Sequence, residues 1–491
     1  MEAVSAIAPD FNFPAEWYHW RPFVGRELLV IPKSHKGKEY SCIIDTWTQR
    51  WVVAEHHAAE LMVHLDGKTS VAAAVSKTMS DASIEQPCDG YAGVLQGLID
   101  NGLLFSNALE HRRSGHPVYN KTDLAGFHLE ITNACNMSCE HCYVSSGKKL
   151  PGELELRQFK AAIDMLEPFS GKRVAISGGE PVASRDCLAI VEYCAVDCGH
   201  DVDLYTNGKK FPKKIAERIV EINRMGLGTV RLQLSLEGAT AEVNDKVRGK
   251  GSFNFAMETL SYFQSIGLCR KLVIFVCLTK HNLHEVDRLI RLAENHDVEM
   301  LVFSQWQRQG NAKDTPWADI APSTDEWVEV GEKISRYYNP RLKVFGNFYG
   351  DLNNNEIGRF SLESPVFPKH LYAYNSFPRI TPEGNILADQ LWVDPSWFLG
   401  NVVNESLEKC FDSPKFYQQL ADMRERVGSI PECQSCTWKN LCLGGSPGHT
   451  YAEYGHMKAK DLFCESRKYW FNKYLDHNFR TRMEEAEAQS S

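Results

Sequence analysis

Seven of the fifteen cysteines stand in two tight groups: Cys135, Cys139 and Cys142, and then Cys433, Cys436 and Cys442 with Cys464. The first group is Cys-x3-Cys-x2-Cys, directly after a strand-like run, so three thiolates share one concave loop. Three is the informative number. A structural zinc site closes with four ligands, and so does an electron-transfer cluster, whereas three thiolates on an iron–sulfur cluster leave one metal open to a ligand from outside. The alternative is zinc, with His141 or a distant residue as the fourth ligand. The second group supplies four thiols, enough for a closed zinc ribbon or a closed iron–sulfur centre. The other eight, Cys42, Cys88, Cys187, Cys194, Cys198, Cys269, Cys277 and Cys410, are scattered and read as small buried hydrophobes.

Bulk properties narrow the setting. A chain of 491 residues implies two or three domains. Its composition, 43% hydrophobic and 24% charged, is that of an ordinary soluble protein, and no apolar run approaches the ~20 residues of a membrane span. Met1 to Pro9 lacks a basic stretch followed by an apolar one, so the expected address is the cytoplasm. In that reducing compartment clustered thiols mean metal or redox chemistry rather than disulfides. The net charge of -9, without an obvious Lys/Arg block, argues against a nucleic-acid partner.

The elements that must position the first thiols begin at Gly126. Strand-like runs at Phe127 to Thr132, Arg173 to Ser177, Val202 to Tyr205, Val230 to Leu236, Leu272 to Leu278 and Met300 to Phe303 alternate with amphipathic helical stretches. Six βα repeats predict an α/β fold, a partial (β/α)6 TIM-like barrel over residues 122–310. In such folds chemistry sits at the C-terminal strand ends. The cysteines follow the first strand, Gly178-Gly-Glu-Pro181 the second, Thr206-Asn-Gly208 the third and Leu236-Glu-Gly238 the fourth.

Before the barrel, residues 20–110 carry three strand runs (Glu27 to Pro32, Ser41 to Asp45, Arg50 to Ala54) and helical segments at Glu55 to Leu65, Ser70 to Met79 and Tyr91 to Asn101. They predict a winged-helix-like module. Leu109 to Pro117 reads as a linker. Residues 311–372 read as a connecting region with one helix at Asp325 to Tyr337. A hairpin turning at Glu383-Gly-Asn385 opens a cysteine-rich unit over residues 373–475. The polar, acidic end, 483–491, is expected to be disordered.

With its motifs assembled, the chain resembles the radical S-adenosylmethionine superfamily, through Cys135-x3-Cys139-x2-Cys142, the aromatic Tyr143 and the turn Gly178-Gly179-Glu180-Pro181. The resemblance implies a [4Fe-4S] cluster whose open iron takes the amino and carboxylate groups of S-adenosylmethionine. It implies too that the glycine turn and Glu180 bind the methionine amino group and that Tyr143 lies near the adenine. Ser235 and Glu237 resemble the strand end that contacts the ribose, and Arg248 the arginine that pairs with the methionine carboxylate. Asn207 either contacts the cofactor or makes the turn before Gly208.

The spacing Cys433-x2-Cys436-x5-Cys442-x21-Cys464, with Pro382 to Asn385 and Leu399 to Val402, resembles the SPASM domain of peptide-maturing members. Two inner-cluster positions are occupied by Ala388/Asp389 and Ser446, so one auxiliary [4Fe-4S] cluster is expected rather than two, with zinc as the alternative. The N-terminal module resembles the PqqD-like recognition element, which implies that a leader peptide adds a strand to its sheet. Together these imply a maturase that cross-links side chains of a ribosomal precursor peptide, supplied with electrons by a flavodoxin or ferredoxin. The rivals are a peptide epimerase using Cys277 as hydrogen donor, a tetrapyrrole-type small-molecule enzyme, and a non-enzymatic zinc scaffold.

Overall fold

The structure, a computed structural model, describes residues 14–25, 28–46, 48, 50–56, 60–81, 90–114, 124, 126–169, 171–346, 377–388 and 390–490. Cys88, Asp389, Gly115 to Pro117, and 347–372 of the connecting region lie outside them.

All six strand runs form in the main sheet: β6 (Gly126–Glu130), β7 (Arg173–Ser177), β8 (Asp201–Thr206), β9 (Val230–Ser235), β10 (Leu272–Leu278) and β11 (Met300–Gln305). They pair in parallel, in sequence order. Register places Leu129 beside Ile176, Ile176 beside Leu204, Leu204 beside Leu232 and Leu232 beside Leu272. That apolar row is fully buried because helices cover the sheet's outer face. The helix Lys213–Met225 turns Ala216, Ile219 and Ile222 inward and stops at Gly226, whose φ of 70° suits glycine.

The sheet extends further than the six repeats predict. β12 (Lys343–Gly346) adds in parallel to β11, so the connecting region contributes a strand as well as the helix Thr324–Arg336. At the other side β13 (Arg379–Ile380) pairs in parallel with β6 and antiparallel with β14 (Asn385–Leu387), which pairs with β15 (Gly400–Asn401). The C-terminal hairpin therefore continues the barrel sheet. Arg379 fixes the join: its Nη2 lies 2.9 Å from Glu130 on β6, both buried, and its Nη1 donates to the Trp392 carbonyl.

The N-terminal module begins with β1 (Phe23–Val24). An antiparallel sheet follows, in the order β2 (Leu28–His35), β3 (Lys38–Asp45) and β4 (Trp51–Glu55). The β2–β3 turn is Lys36-Gly37, both at positive φ, as a two-residue hairpin turn requires. β5 (Leu104–Phe105) pairs with β1. One sheet face carries Ile43, Val52 and Ala54 against the helices Val71–Asp81 and Gly90–Asp100. Of the helix expected from Glu55 to Leu65, His56 is helical and Glu60–His64 is a 3-10 turn, while residues 57–59 lie outside the described residues. The expected linker begins as a helix, Ala108–Ser114, because His111 is buried with Nε2 2.7 Å from Asp45.

The opposite sheet face carries Cys42, Ile44 and Trp51 against the long helix Cys464–Ser490. The helix runs on through residues 483–490, where a disordered end was expected. Trp470, Tyr474, Phe479 and Met483 are buried against the module, and ion pairs of Lys33 with Asp476 and of Lys36 with Glu487 flank the contact. The Arg482 guanidinium lies 4.5 Å from the Trp51 ring centre. Acidic composition misleads here because the apolar residues that hold the helix find their partners some 400 residues away.

Trp470 also touches the barrel layer, since a Cβ on Gly331 would stand 2.1 Å from its ring. Trp470→Ala is expected to cost about 3–5 kcal/mol by leaving a cavity. Gly331→Ala should destabilise by crowding the same indole. Urea unfolding followed by tryptophan fluorescence checks both.

Candidate functional site

The C-terminal ends of β6 to β11 surround a cavity of about 380 Å³. Cys135, Cys139 and Cys142 line it together, on the loop that leaves β6. The loop is tied from several sides. Cys135 N donates to the Gly147 carbonyl, Asn133 N to Glu153, and Asn311 donates its backbone N–H to Cys142 O and its Nδ2 to Cys139 O, both at 2.9 Å. Two N–H groups point at sulfur: Ser146 N is 3.4 Å from Cys142 Sγ and Asn207 Nδ2 is 3.7 Å from Cys135 Sγ. Burial raises the Cys135 and Cys139 thiols above their ordinary range.

Gly178 and Gly179 are required by a backbone crossing. A Cβ on Gly178 would stand 2.2 Å from the Thr132 carbonyl oxygen and one on Gly179 2.3 Å from that of Ala134. Both glycines reach the cavity wall, as does Pro181, but the space their missing side chains leave is filled by the loop that bears the cysteines. Gly179 N and Glu180 N donate to those same two carbonyls. Glu180 is placed differently from the implied ligand role: its buried carboxyl accepts from Thr206 Oγ1 at 2.9 Å and Asn207 N at 2.7 Å, and it does not line the cavity. Burial pushes its pKa up to about 7 against those hydrogen bonds. Asn207 makes the turn, receiving Lys209 N on Oδ1, and its side chain also lines the cavity.

Across the cavity Glu237 is a buried hub. Its Oε1 is 2.8 Å from Arg248 Nη1 and 3.1 Å from His141 Nε2, and its Oε2 accepts from Cys277 N. Burial alone would raise this carboxyl, but His141 and then Arg248 hold it below its ordinary value. Glu237 and Arg248 line the cavity and so does Ser235, beside them on β9. Arg248 Nε and His141 Nδ1 are buried without a hydrogen-bond partner among the described residues, polar atoms available to an external ligand. Cys277, at the end of β10, also lines the cavity, and burial raises its thiol well above the ordinary range.

Sequence reasoning missed several lining groups. His141 entered only as a zinc-ligand candidate, yet it faces Glu237. Gln305 Nε2 and Gln307 Oε1 are buried and unpartnered among the described residues, and amides at a strand end carry no motif that marks them. Arg379 stacks its guanidinium 5.7 Å from the Tyr143 ring centre, holding that cavity-lining aromatic from below.

Cys433, Cys436, Cys442 and Cys464 line one small hollow. After Cys442 the chain reverses through Leu443, Gly444 and Gly445, all at positive φ. A Cβ on Gly445 would stand 1.5 Å from Arg467 Nη1, so the buried Arg467, 2.9 Å from Asp461, occupies that space beside the thiols. Cys464 opens the long C-terminal helix. Ser446 caps the helix Pro447–Tyr454 by accepting His449 N, and Ala388 is packed in the barrel core. Among the described residues, no three His, Cys, Asp or Glu side chains converge on a single metal-ion position. The donor chemistry of the first set, three thiols on a loop fixed by hydrogen bonds with N–H groups aimed at sulfur, fits a polynuclear iron–sulfur centre.

Two expectations follow. Gly179→Ala must displace the Ala134 backbone and with it the cysteine loop, so iron bound after reconstitution should fall severalfold while far-UV circular dichroism stays near wild type. Glu180 retains its proton up to about pH 7 when folded, against an ordinary value of 4.5. Its contribution to stability is therefore full below 4.5 and is lost as pH rises through about 7, and Glu180→Gln should flatten the stability profile across that window.

The model of the radical SAM superfamily matches residues 129–293. The mycofactocin maturase MftC of Mycobacterium tuberculosis is 30% identical over 330 residues, spanning 64% of this chain and 76% of that protein. The Fe-coproporphyrin III synthase of Methanosarcina barkeri is 25% identical over 68% of this chain and 86% of that one. Among solved structures, Streptococcus suis SuiB bound to S-adenosylmethionine superposes with a TM-score of 0.56 at 14% identity, covering 90% of this chain and all of that one. The AdoMet and peptide complex of anSMEcpe gives 0.56 at 14% identity, over 72% and 98%. At such identities the superpositions speak for the fold. The cysteine motif, the glycine crossing beneath it and the MftC similarity together establish the family: the chain belongs to the radical SAM superfamily.

Proposed function

We propose that this radical S-adenosylmethionine enzyme modifies a ribosomally made precursor peptide, joining side chains oxidatively through a thioether, ether or carbon–carbon bond. The observation that carries the reading is the firmly docked N-terminal sheet, whose β4 edge has no strand partner among the described residues. A peptide can add there by backbone pairing and pack on the adjacent helix Gly90–Asp100. The other edge suits this less, because Pro32 on β2 lacks an N–H and Lys33 and His35 are engaged with the C-terminal helix. The names of two relatives point the same way, a maturase in one case and a structure of SuiB with its precursor peptide SuiA in the other.

Cys135, Cys139 and Cys142 would hold a [4Fe-4S] cluster, which when bound would supply the electron for reductive cleavage of S-adenosylmethionine and so the radical chemistry by which hydrogen is taken from the substrate. The chain's own residues position and shield. Arg248, anchored by Glu237, presents Nε toward a carboxylate, and Tyr143, braced by Arg379, offers a flat apolar wall to adenine. Ser235 and Asn207 supply short polar contacts at neighbouring strand ends. The four thiols at Cys433, Cys436, Cys442 and Cys464 are read as the site of one auxiliary cluster, which would take up the surplus electron of an oxidative cross-link.

One observation favours a second reading. Cys277 faces the cavity and burial keeps it a neutral thiol, as a hydrogen-atom donor in peptide epimerisation must be. Anaerobic incubation with reductant, S-adenosylmethionine and candidate precursor peptides, followed by mass spectrometry, separates the two. Cross-linking predicts 5'-deoxyadenosine with a product lighter by two hydrogens, formed also by Cys277→Ala. Epimerisation predicts unchanged mass and loss of inverted product in that variant. Intact clusters that yield no 5'-deoxyadenosine would sink both.

A further inference from the structure

The cysteine loop has an outer side as well as a cavity side. There a second hollow, of about 390 Å³, shares Cys135 and Arg248 with the cavity but opens to solvent. Lys209 and Lys250 line it as cations without a carboxylate partner; Arg248 lines it too but is buried with its charge matched by Glu237 on the cavity side, and no lining side chain is a carboxylate. In a chain of net charge -9 this is a marked local reversal. The fold assembles it from two places: Lys209 follows β8, and Lys250 follows the helix Ala241–Arg248. Lys210, Lys213, Lys214 and Lys246 are further exposed cations on the same two segments, against the exposed carboxylates Glu217 and Glu242.

The hollow is built rather than incidental. Lys209 donates Nζ to the Asn136 carbonyl at 3.0 Å, within the cysteine loop itself, and lies 5.4 Å from the Phe255 ring centre. Asp245, the nearest carboxylate on the helix, is occupied by the backbone N–H groups of Gly251 and Phe253. Glu140 is exposed on the loop but does not line the hollow. Lys250 is exposed and has no partner among the described residues. Met137 and Phe255 add apolar surface beside the cations. This mixture is that of a protein-docking surface, whereas a small anion would need buried, converging donors.

We propose that this hollow docks the acidic face of a reduced one-electron carrier protein, which passes its electron to the cluster through the Cys135 side of the loop. The carrier is oxidised by one electron and the cluster reduced by one, with no atom transferred. Substrate then approaches from the cavity and the reductant from behind, so neither blocks the other. The inference rests on the three-thiol cluster and is independent of which substrate the enzyme modifies; failure of the cluster reading would show as colourless, iron-free protein before any carrier is added.

The test uses the reconstituted full chain, an acidic flavodoxin and an acidic ferredoxin as probes, and the variants Lys250→Glu and Lys209→Gln/Lys250→Glu. Binding is measured anaerobically by calorimetry at several salt concentrations, and cluster reduction by loss of its visible absorbance. The expected result is a Kd for at least one carrier that rises about tenfold in Lys250→Glu and further in the double variant, with a shallower salt dependence. Carrier-driven reduction should slow in parallel, while iron content and reduction by dithionite stay within about twofold of wild type. Unchanged carrier affinity and reduction rate in Lys250→Glu would overturn the proposal. So would wild-type protein that takes an electron from neither carrier at low salt, or inhibition of carrier binding by inorganic phosphate alone at matched ionic strength. If the double variant loses iron through the Lys209–Asn136 bond, Lys250→Glu, which breaks no internal contact among the described residues, still decides the matter.

Discussion

The site depends on one close approach of backbone to backbone. Where β7 ends, Gly178 and Gly179 pass so near the exit of β6 that a methyl group on either would fall within about 2.3 Å of a carbonyl oxygen. The crossing is fastened by Gly179 N to Thr132 O and Glu180 N to Ala134 O. It places Cys135, one residue later, at the mouth of the barrel. Glu180 then turns under the crossing to grip Thr206 and Asn207 at the end of β8. Three strand ends are thus locked in order, and the thiol loop inherits its position from them. The glycines are a steric necessity of the scaffold before they are anything to a ligand.

A second constraint governs the far wall. Taking Glu237 out of water costs several kcal/mol unless its charge is matched, and the matching is done by the groups that face the cavity, His141, Arg248 and the Cys277 N–H. The carboxylate thereby fixes an arginine from one helix, a histidine from the cysteine loop and a strand end into one arrangement. Arg248 keeps Nε in reserve while Nη1 is spent on the anchor. Such prior fixing lowers the ordering needed when a charged ligand arrives.

How much of this was legible in the sequence follows from the range of each signal. The six strands are short runs rich in strand-forming residues, the first four closed by the cysteine or glycine motifs, and local pattern suffices for them. Their order places every motif on one rim, so the cavity was legible too. β12 was not, because Lys343-Val-Phe-Gly346 has only two apolar residues and becomes a strand by pairing with β11. The direction of the Glu180 carboxyl was not, because the choice between ligand and Thr206 is made by burial. Nor was the cationic hollow, since Lys209 and Lys250 are 41 residues apart and no block of charge announces them.

The C-terminal helix shows what such long-range signals can connect. Its first residue is Cys464, a wall of the second thiol hollow, and its last turns hold β2 through His35 and Lys36. Between these ends Trp470, Tyr474 and Phe479 are packed on the N-terminal sheet. The face of that sheet opposite its own helices is therefore spent on the helix, and the β2 edge with it, which leaves β4 as the edge available for pairing. A rod of 27 residues spans about 40 Å, so one helix joins the second thiol group to the N-terminal sheet. On the proposed reading, a peptide bound at the β4 edge would be held in a set relation to both thiol groups, and the length of chain between the bound segment and the cavity would set which of its residues can reach the site.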